Sequence, residues 1–234
     1  MGMQCQECKE RKIMNFQTAK RIHQSMLAGP EKKTLIWIAE RLPEWINSDH
    51  LSLLGLISMM GAGVCYWLSG SNMAWIWIVN FAIVCNWFGD SLDGTLARVR
   101  NKQRPRYGFY VDHVIDAVSA VFLLGGLGMS GYMSQSIAIG LLVAFLLLSL
   151  ESYLATYTMG TFRISHGIFG PTELRLLLIV GNCVLFTRTE SAILGRHYLL
   201  FDVGGIVGIF GMLILFAWVS IRNTATLYRE ERLP

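Results

Sequence analysis

Apolar residues dominate this chain in windows of about 20, and most charged residues lie between those windows. A hydrocarbon core of roughly 30 Å requires about 20 apolar residues per crossing helix, so the pattern predicts an all-α integral membrane protein. We predict six transmembrane helices. Their approximate bounds are Leu51 to Gly70, Met73 to Arg98, Gly108 to Met129, Ser134 to Thr158, Pro171 to Phe186 and Leu199 to Ser220.

A shorter amphipathic segment precedes the first apolar window. From Thr34 to Ile46, the apolar residues Leu35, Ile38, Leu42 and Trp45 recur at helical spacing, while charged residues take the opposite side. This pattern predicts an N-terminal amphipathic helix lying in the membrane interface. A short helix packed on the membrane domain is the alternative.

The distribution of basic residues predicts the orientation of the helices. Of the 20 Lys and Arg residues, all but Arg188 and Arg196 lie before span one, around the 2–3 and 4–5 connections, or after span six. Because Lys and Arg accumulate on the cytoplasmic side, both termini should be cytoplasmic, and in a bacterium the membrane would be the inner or plasma membrane. The chain then divides into a cytoplasmic segment (1–47), a six-helix membrane domain (48–225) and a cytoplasmic tail (226–234).

Charge and cysteine content argue against two other classes of function. The net charge of +4 follows from this asymmetry between membrane faces, so we expect no nucleic-acid partner. Cys5 and Cys8 form a lone CxxC pair with no second pair to complete a zinc site. We interpret them as part of a solvated terminus.

Aspartates are scarce but clustered. The chain has six, and four of them fall within 27 residues: Asp90, Asp93, Asp112 and Asp116. Asp90 and Asp93 share one helix face at the end of span two, and Asp112 and Asp116 share another at the start of span three. Because only about ten residues connect the two spans, the two acidic faces can meet.

Four carboxylates close together near lipid would not all stay ionised without a cation. All-oxygen ligands favour hard divalent ions, and four carboxylates are enough to hold two Mg²⁺ or Mn²⁺ ions. Paired metals of this kind stabilise phosphoryl transfer. The alternative is that these aspartates are helix caps or ion-pair partners of the neighbouring arginines.

The residues around these aspartates form a longer ordered pattern. It consists of Asp90, Asp93, Gly94, Ala97, Arg98, Gly108, Asp112 and Asp116 at set offsets. This pattern resembles the signature of the CDP-alcohol phosphotransferase family, class I, at every fixed position. Six spans with the motif bridging the second and third extend the resemblance to most of the chain.

The resemblance implies roles for the four aspartates. Asp90, Asp93 and Asp112 would be metal ligands for two divalent cations, Mg²⁺ or Mn²⁺. Asp116 would help to bind metal and act as general base on the acceptor hydroxyl.

The remaining motif residues are candidates for nucleotide binding. Gly94 and Ala97 leave a groove on the helix, and in the family this region holds the cytidine diphosphate. Arg98 can pair with a phosphate in a bidentate way. Gly108 completes this candidate set.

Two neighbours of the motif are further candidates. His113 follows the third aspartate, and a histidine there resembles the choline and ethanolamine phosphotransferase branch, where it would serve as base. A simple hydrogen-bonding role at the interface is the alternative. Asn86 lies one turn before Asp90 and can reach the substrate or pack between helices.

Polar residues return between spans four and five. Arg163, Glu173 and Arg175 are candidates for recognising the alcohol or the phosphate, because the stretch faintly resembles the corresponding loop of the aminoalcohol phosphotransferases. Glu151 lies within an apolar span, which is costly unless the side chain faces a polar cavity, faces a partner subunit or snorkels.

These features predict a phosphotransferase of phospholipid biosynthesis. It would transfer a substituted phosphoryl group from a CDP-alcohol to a hydroxyl acceptor and release CMP. Either CDP-diacylglycerol reacts with a small polar alcohol, or CDP-choline or CDP-ethanolamine reacts with a diacylglycerol. The expected partners are therefore these substrates and membrane lipid. Small residues in spans one and three allow close internal packing or a homodimer.

Two other classes of protein also fit an acidic membrane domain. A divalent-cation transporter would place its carboxylates near mid-membrane with access from both faces, whereas here they are predicted at one end. A non-catalytic scaffold would be expected to lose at least one motif aspartate, and all four are present.

Overall fold

The computed structural model describes residues 28–159, 171–193 and 195–231, and these form seven helices and one β-hairpin. Cys5, Cys8 and Arg163 lie outside the described residues. The elements are α1 (Ala28–Ala39), α2 (Ser48–Ser69), α3 (Trp75–Val99), α4 (Pro105–Met129), α5 (Gln135–Met159), α6 (Pro171–Leu185), β1 (Glu190–Ile193), β2 (Arg196–Leu199) and α7 (Leu200–Glu230).

The predicted all-helical membrane architecture is confirmed in outline. Among the described helices, α2, α4, α5 and α7 are long and apolar enough to cross a membrane. Helix α6 has 15 residues, so it is only roughly 22 Å long at 1.5 Å per residue. Helix α3 has 25 residues but includes Asn80, Asn86 and the first two motif aspartates. The count of six spans, the domain limits and the orientation of the termini stay predictions.

Helix α3 buries one face and exposes another. Its residues Ile76, Val79 and Ile83 are fully buried, whereas Trp77 and Phe81 are exposed. It packs against α1, α2 and α6. The helix that carries Asp90 is therefore held by protein along one face.

Glycines allow the helices around the site to approach closely. A Cβ at Gly89 would lie 2.5 Å from the carbonyl oxygen of Leu51 and 2.9 Å from the backbone nitrogen of Gly55. Gly63 on α2 and Gly126 on α4 are likewise in backbone contact. Because these contacts lie within one chain, they give the small residues an internal packing role. The predicted homodimer stays a prediction.

Buried polar side chains are joined in pairs across the helices. Tyr66 donates to Asn182 and Asn182 donates to Asn80, each over 2.7 Å, which ties α2, α6 and α3 together. Glu151 accepts a hydrogen bond of 2.7 Å from the side chain of Asn223, so its partner within the chain lies on α7. This contact satisfies a carboxylate that would otherwise be costly in an apolar helix.

The N-terminal segment differs from the predicted helix over Thr34 to Ile46. Helix α1 ends at Ala39, and the chain then runs irregularly to Asn47. Pro43 lacks a backbone donor and disfavours a helical residue before it, which explains the early end. Leu35 and Ala39 pack on α2 and α3, as the alternative of a packed helix requires.

The hairpin before α7 was not predicted. Strands β1 and β2 pair antiparallel, with Glu190 opposite Leu199 and Ile193 opposite Arg196. Each strand has only four residues, too few for a clear alternation of polar and apolar positions.

We expect Gly89→Ala to lower the stability of the bundle, because the added Cβ would press on the backbone of α2. Overpacking of this kind costs about 1–3 kcal/mol. Thermal unfolding of the purified protein in detergent would measure the change. The matched control is Gly61→Ala, where a Cβ would meet nothing within 4 Å. Equal melting temperatures for the two variants would contradict this view of the α2–α3 contact.

Candidate active site

The chain reverses direction tightly between the two acidic helices. Just beyond the end of α3 at Val99, Asn101 has a positive φ of 55°, and the backbone N–H of Lys102 donates to the carbonyl oxygen of Ala97 over 2.9 Å. This is the hydrogen-bond pattern of a Schellman ending, in which Asn is tolerated at the left-handed position. Pro105 then occupies the first turn of α4, where its missing N–H is not needed. The connection thereby brings the aspartate-bearing end of α3 near that of α4.

Three of the four motif aspartates converge. Asp90 on α3 and Asp112 and Asp116 on α4 each offer a carboxylate oxygen, and these oxygens all lie within 4.8 Å of one another. All three side chains are at least partly accessible. The arrangement is an all-oxygen donor set of the kind that divalent cations bind.

Asp93 faces α2 instead. One of its carboxylate oxygens accepts a hydrogen bond of 2.5 Å from Ser52, and the other accepts one from the backbone N–H of Gly94. Ser48 also donates to the carbonyl oxygen of Asp93 over 3.0 Å. Asp93 still lies near enough for its charge to act on Asp116. It therefore borders the three-carboxylate group, with one oxygen held by a serine that the sequence analysis missed.

A cation from α6 reaches the acidic group. Arg175 donates to Asp90 over 2.7 Å, and its side chain is only 13% exposed. The same guanidinium attracts the negative charge of Asp116. Arg175 was a candidate for phosphate or alcohol recognition, and the structure places it beside the aspartates. Glu173 lies in the first turn of the same helix.

Arg100 and Arg104, between the two acidic helices, have contacts with groups other than the motif aspartates. Arg104 forms an ion pair with Asp49, and its guanidinium lies 4.1 Å from the ring centroid of Tyr107. Arg100 donates to the carbonyl oxygens of Leu42, Pro43 and Ile46 over 2.5–2.9 Å. Arg100 therefore holds the irregular segment that follows α1.

His113 is held in one orientation on α4. Its Nδ1 lies 2.6 Å from the carbonyl oxygen of Phe109, which can only accept, so Nδ1 carries the proton and Nε2 is the acceptor in the neutral ring. The ring lies between those of Phe109 and Tyr153 of α5, with centroid distances of 4.1 Å and 4.7 Å. The plane of the Tyr153 ring is nearly perpendicular to the imidazole. Tyr153 was not among the predicted residues because only the α4–α5 packing brings it here.

Asn86 contacts the neighbouring helix. Its Nδ2 donates to the carbonyl oxygen of Gly55 over 3.0 Å, and the residue is 4% exposed. This contact supports the helix-packing interpretation of Asn86, one turn before Asp90.

A cavity of about 390 Å³ lies beside the motif, at the end of α3. Its lining residues come from the start of α2, the end of α3 and the connection that follows. They are Asn47, Ser48, Asp49, Leu96, Ala97, Arg100, Lys102, Gln103 and Arg104. Of the nucleotide-binding candidates, Ala97 lines this cavity. Arg98 donates to Thr95 over 3.0 Å, and a Cβ at Gly108 would meet nothing within 4 Å.

The described residues thus form a helical bundle of the membrane type with a carboxylate cluster on α3 and α4. Residues 45–220 match the model of the CDP-alcohol phosphatidyltransferase family, so the chain belongs to that family, as the signature predicted. The members are phosphotransferases of the CDP-alcohol type.

Two relatives are similar to this chain. Cholinephosphotransferase 1 of Danio rerio is 26% identical over 189 residues, which are 74% of this chain and 48% of that protein. The chain thus spans about half the length of this curated relative. The crystal structure of Mycobacterium tuberculosis phosphatidylinositol phosphate synthase (PgsA1) with CDP-DAG bound has a TM-score of 0.56 at 17% identity. It covers 84% of this chain and 94% of that chain, which shows a shared fold.

Replacement of Arg100 by Lys should loosen the segment at 42–46. A single ammonium group cannot donate to three separated carbonyl oxygens of this segment at once, as the planar guanidinium does. We expect a loss of roughly 1–2 kcal/mol in stability and faster trypsin cleavage after Arg41. Arg106→Lys, at an exposed position with the same change of side chain, is the control. The same cleavage rate in both variants would contradict this role of Arg100.

Proposed function

We propose that the chain transfers a substituted phosphoryl group from a CDP-alcohol to a hydroxyl acceptor and releases CMP. The observation that carries this proposal is the convergence of Asp90, Asp112 and Asp116 within 4.8 Å, on helices that bear the complete family signature. Family membership favours this reaction over a divalent-cation transporter or a non-catalytic scaffold.

The donor set fits two divalent cations, Mg²⁺ or Mn²⁺. Carboxylate oxygens are the ligands that these hard ions prefer, and three carboxylates this close repel one another. Asp90, Asp112 and Asp116 would hold the ions, with Asp93 as a fourth ligand at the border of the group. Bound there, the ions would neutralise the diphosphate and stabilise the attacking and leaving oxygens.

The cavity beside Ala97 is our proposed site for the nucleotide. Leu96 and Ala97 offer an apolar wall to a planar base, and Lys102 supplies positive charge for a phosphate, whereas Arg104 is paired with Asp49. The other nucleotide-binding candidates, Gly94, Arg98 and Gly108, are near Ala97 in the motif. This position would direct the diphosphate from the cavity toward the aspartates.

Two side chains offer a proton acceptor for the hydroxyl that attacks. Asp116 belongs to the carboxylate group, and Nε2 of His113 is the acceptor nitrogen of a ring already oriented by Phe109. Loss of turnover with retained metal binding in His113→Gln would assign the proton transfer to the histidine. Unchanged turnover in that variant would leave the role to Asp116.

For the donor, we propose CDP-choline or CDP-ethanolamine, with a diacylglycerol-type lipid as acceptor. The similarity to a cholinephosphotransferase over 74% of the chain supports this direction, as does His113 after the third aspartate. The opposite direction, from CDP-diacylglycerol to a small polar alcohol, is the other outcome that a donor panel would reveal.

We expect the purified protein to release CMP when it is supplied with Mg²⁺ or Mn²⁺, a CDP-alcohol and its acceptor. Asp116→Asn and Asp112→Asn should each lower kcat/KM at least 100-fold, because each removes a charge from the carboxylate group. Glu40→Gln, which removes an exposed charge just beyond α1, should leave kcat/KM unchanged. The proposal would be wrong if no donor yields CMP, or if Asp116→Asn retains full turnover.

Arg175→Gln should increase the affinity for Mn²⁺ about fivefold, because Arg175 pairs with an oxygen of Asp90 that a cation would use. Titration of Mn²⁺, followed by its electron paramagnetic resonance signal and without nucleotide, would measure this affinity. Asp112→Asn should weaken binding, and Glu40→Gln should not change it. Unchanged or weaker binding in Arg175→Gln would show that the arginine does not compete with the metal.

A further inference from the structure

One carboxylate oxygen of Glu31, on α1, joins three helices. This oxygen accepts hydrogen bonds from the indole N–H of Trp87 at 2.8 Å, the hydroxyl of Ser91 at 3.3 Å and the hydroxyl of Thr172 at 3.1 Å. Trp87 and Ser91 lie one turn apart on α3, and Thr172 lies in the first turn of α6. A hydrogen bond to a charged acceptor is stronger than one between neutral groups.

This contact lies next to the acidic group. Ser91 directly follows Asp90 in the chain, and Thr172 precedes Arg175 by three residues, so Thr172 and Arg175 share a face of α6. Helices α3 and α6 are therefore joined twice at the same level. One link is the Glu31 bridge, and the other is the ion pair between Arg175 and Asp90.

The apolar residues near Arg175 that pack on the bundle core are Leu178 and Ile179, one turn further along α6. Leu174 and Leu177 are each 57% exposed. The far end of α6 is anchored by the fully buried Asn182, which is about two turns from Arg175. The start of α6, before these apolar contacts, is joined to α1 by the hydrogen bond from Thr172 to Glu31 and to α3 by the ion pair of Arg175 with Asp90.

We propose that Glu31 is a positioning residue for the transfer reaction. It holds the first turn of α6 against α3, and so keeps Arg175 at the edge of the carboxylate group, where its positive charge would meet the phosphate of the donor. Helix α1 then forms part of the support of the active site. This inference rests on the proposed function for its catalytic consequence, whereas the contact itself is a property of the protein without substrate.

Three variants separate the arms of the bridge. Glu31→Leu removes the acceptor, Glu31→Gln keeps an acceptor oxygen, and Thr172→Val removes only the arm on α6 with little change in shape. Hydrogen–deuterium exchange of residues 175–179, measured on the full chain without substrate, reports how firmly α6 is held. CMP release with its kcat and KM reports the consequence for the reaction.

We expect Glu31→Leu and Thr172→Val each to speed exchange in 175–179 about tenfold and to lower kcat/KM by a similar factor. Their double variant should be no worse than either one, because both break the same link. Glu31→Gln should stay within about threefold of wild type. Glu40→Gln, the matched acidic control, should change neither readout.

Unchanged α6 exchange in Thr172→Val, or additive losses in the double variant, would overturn the proposal even if Glu31→Leu fails to fold. Faster exchange with normal CMP release in both variants would also overturn it. If the wild-type protein releases no CMP while both variants loosen α6, the proposed function fails and Glu31 keeps its structural role.

Discussion

Electrostatic repulsion among the carboxylates is the constraint that the rest of the structure must offset to keep the site together. Two unit charges 4.8 Å apart repel by roughly 3–4 kcal/mol at an effective dielectric constant of 20. Two contacts offset part of this repulsion: Arg175 donates a hydrogen bond to Asp90, and Ser52 donates one to Asp93. Divalent cations would neutralise the remaining negative charge of the carboxylates. The same cations would supply the positive charge that the proposed phosphoryl transfer needs.

The rest of the bundle keeps these charges in place by close packing. Gly89, immediately before Asp90, allows α3 to lie on the backbone of α2, and Gly63 and Gly126 allow α2 to approach α4 in the same way. Buried polar contacts join the remaining helices, as between Glu151 and Asn223. The site is thus built on helices whose separation is set by backbone contact, and such contacts tolerate little displacement.

Sequence patterns predicted the features that depend on local spacing. The predicted span from Pro171 ends one residue from the observed end of α6, and the aspartate spacing placed Asp90, Asp112 and Asp116 on facing helices. Local signals cannot show which distant side chains meet. The pairing of Arg175 with Asp90 spans 85 residues, and that of Glu31 with Thr172 spans 141.

The N-terminal segment shows a second limit. The helix predicted over residues 34–46 is observed at Ala28–Ala39. The prediction ran too far because apolar residues continue at helical spacing beyond Pro43, whereas the carbonyl oxygens of Leu42 and Pro43 accept hydrogen bonds from Arg100. The same limit applies to His113, whose contact with Tyr153 depends on how α4 crosses α5. Periodicity therefore identified faces and elements, and tertiary packing decided their partners.

The fate of one phosphorus atom tests the central claim most directly. A CDP-alcohol carrying ³²P at the phosphorus bound to the alcohol should be incubated with the purified protein, a divalent cation and the acceptor, and the products separated into lipid and water-soluble fractions. Transfer as proposed places the label in the phospholipid and leaves CMP unlabelled. Label recovered only as a free phosphorylated alcohol, or in no product other than the intact donor, would contradict it.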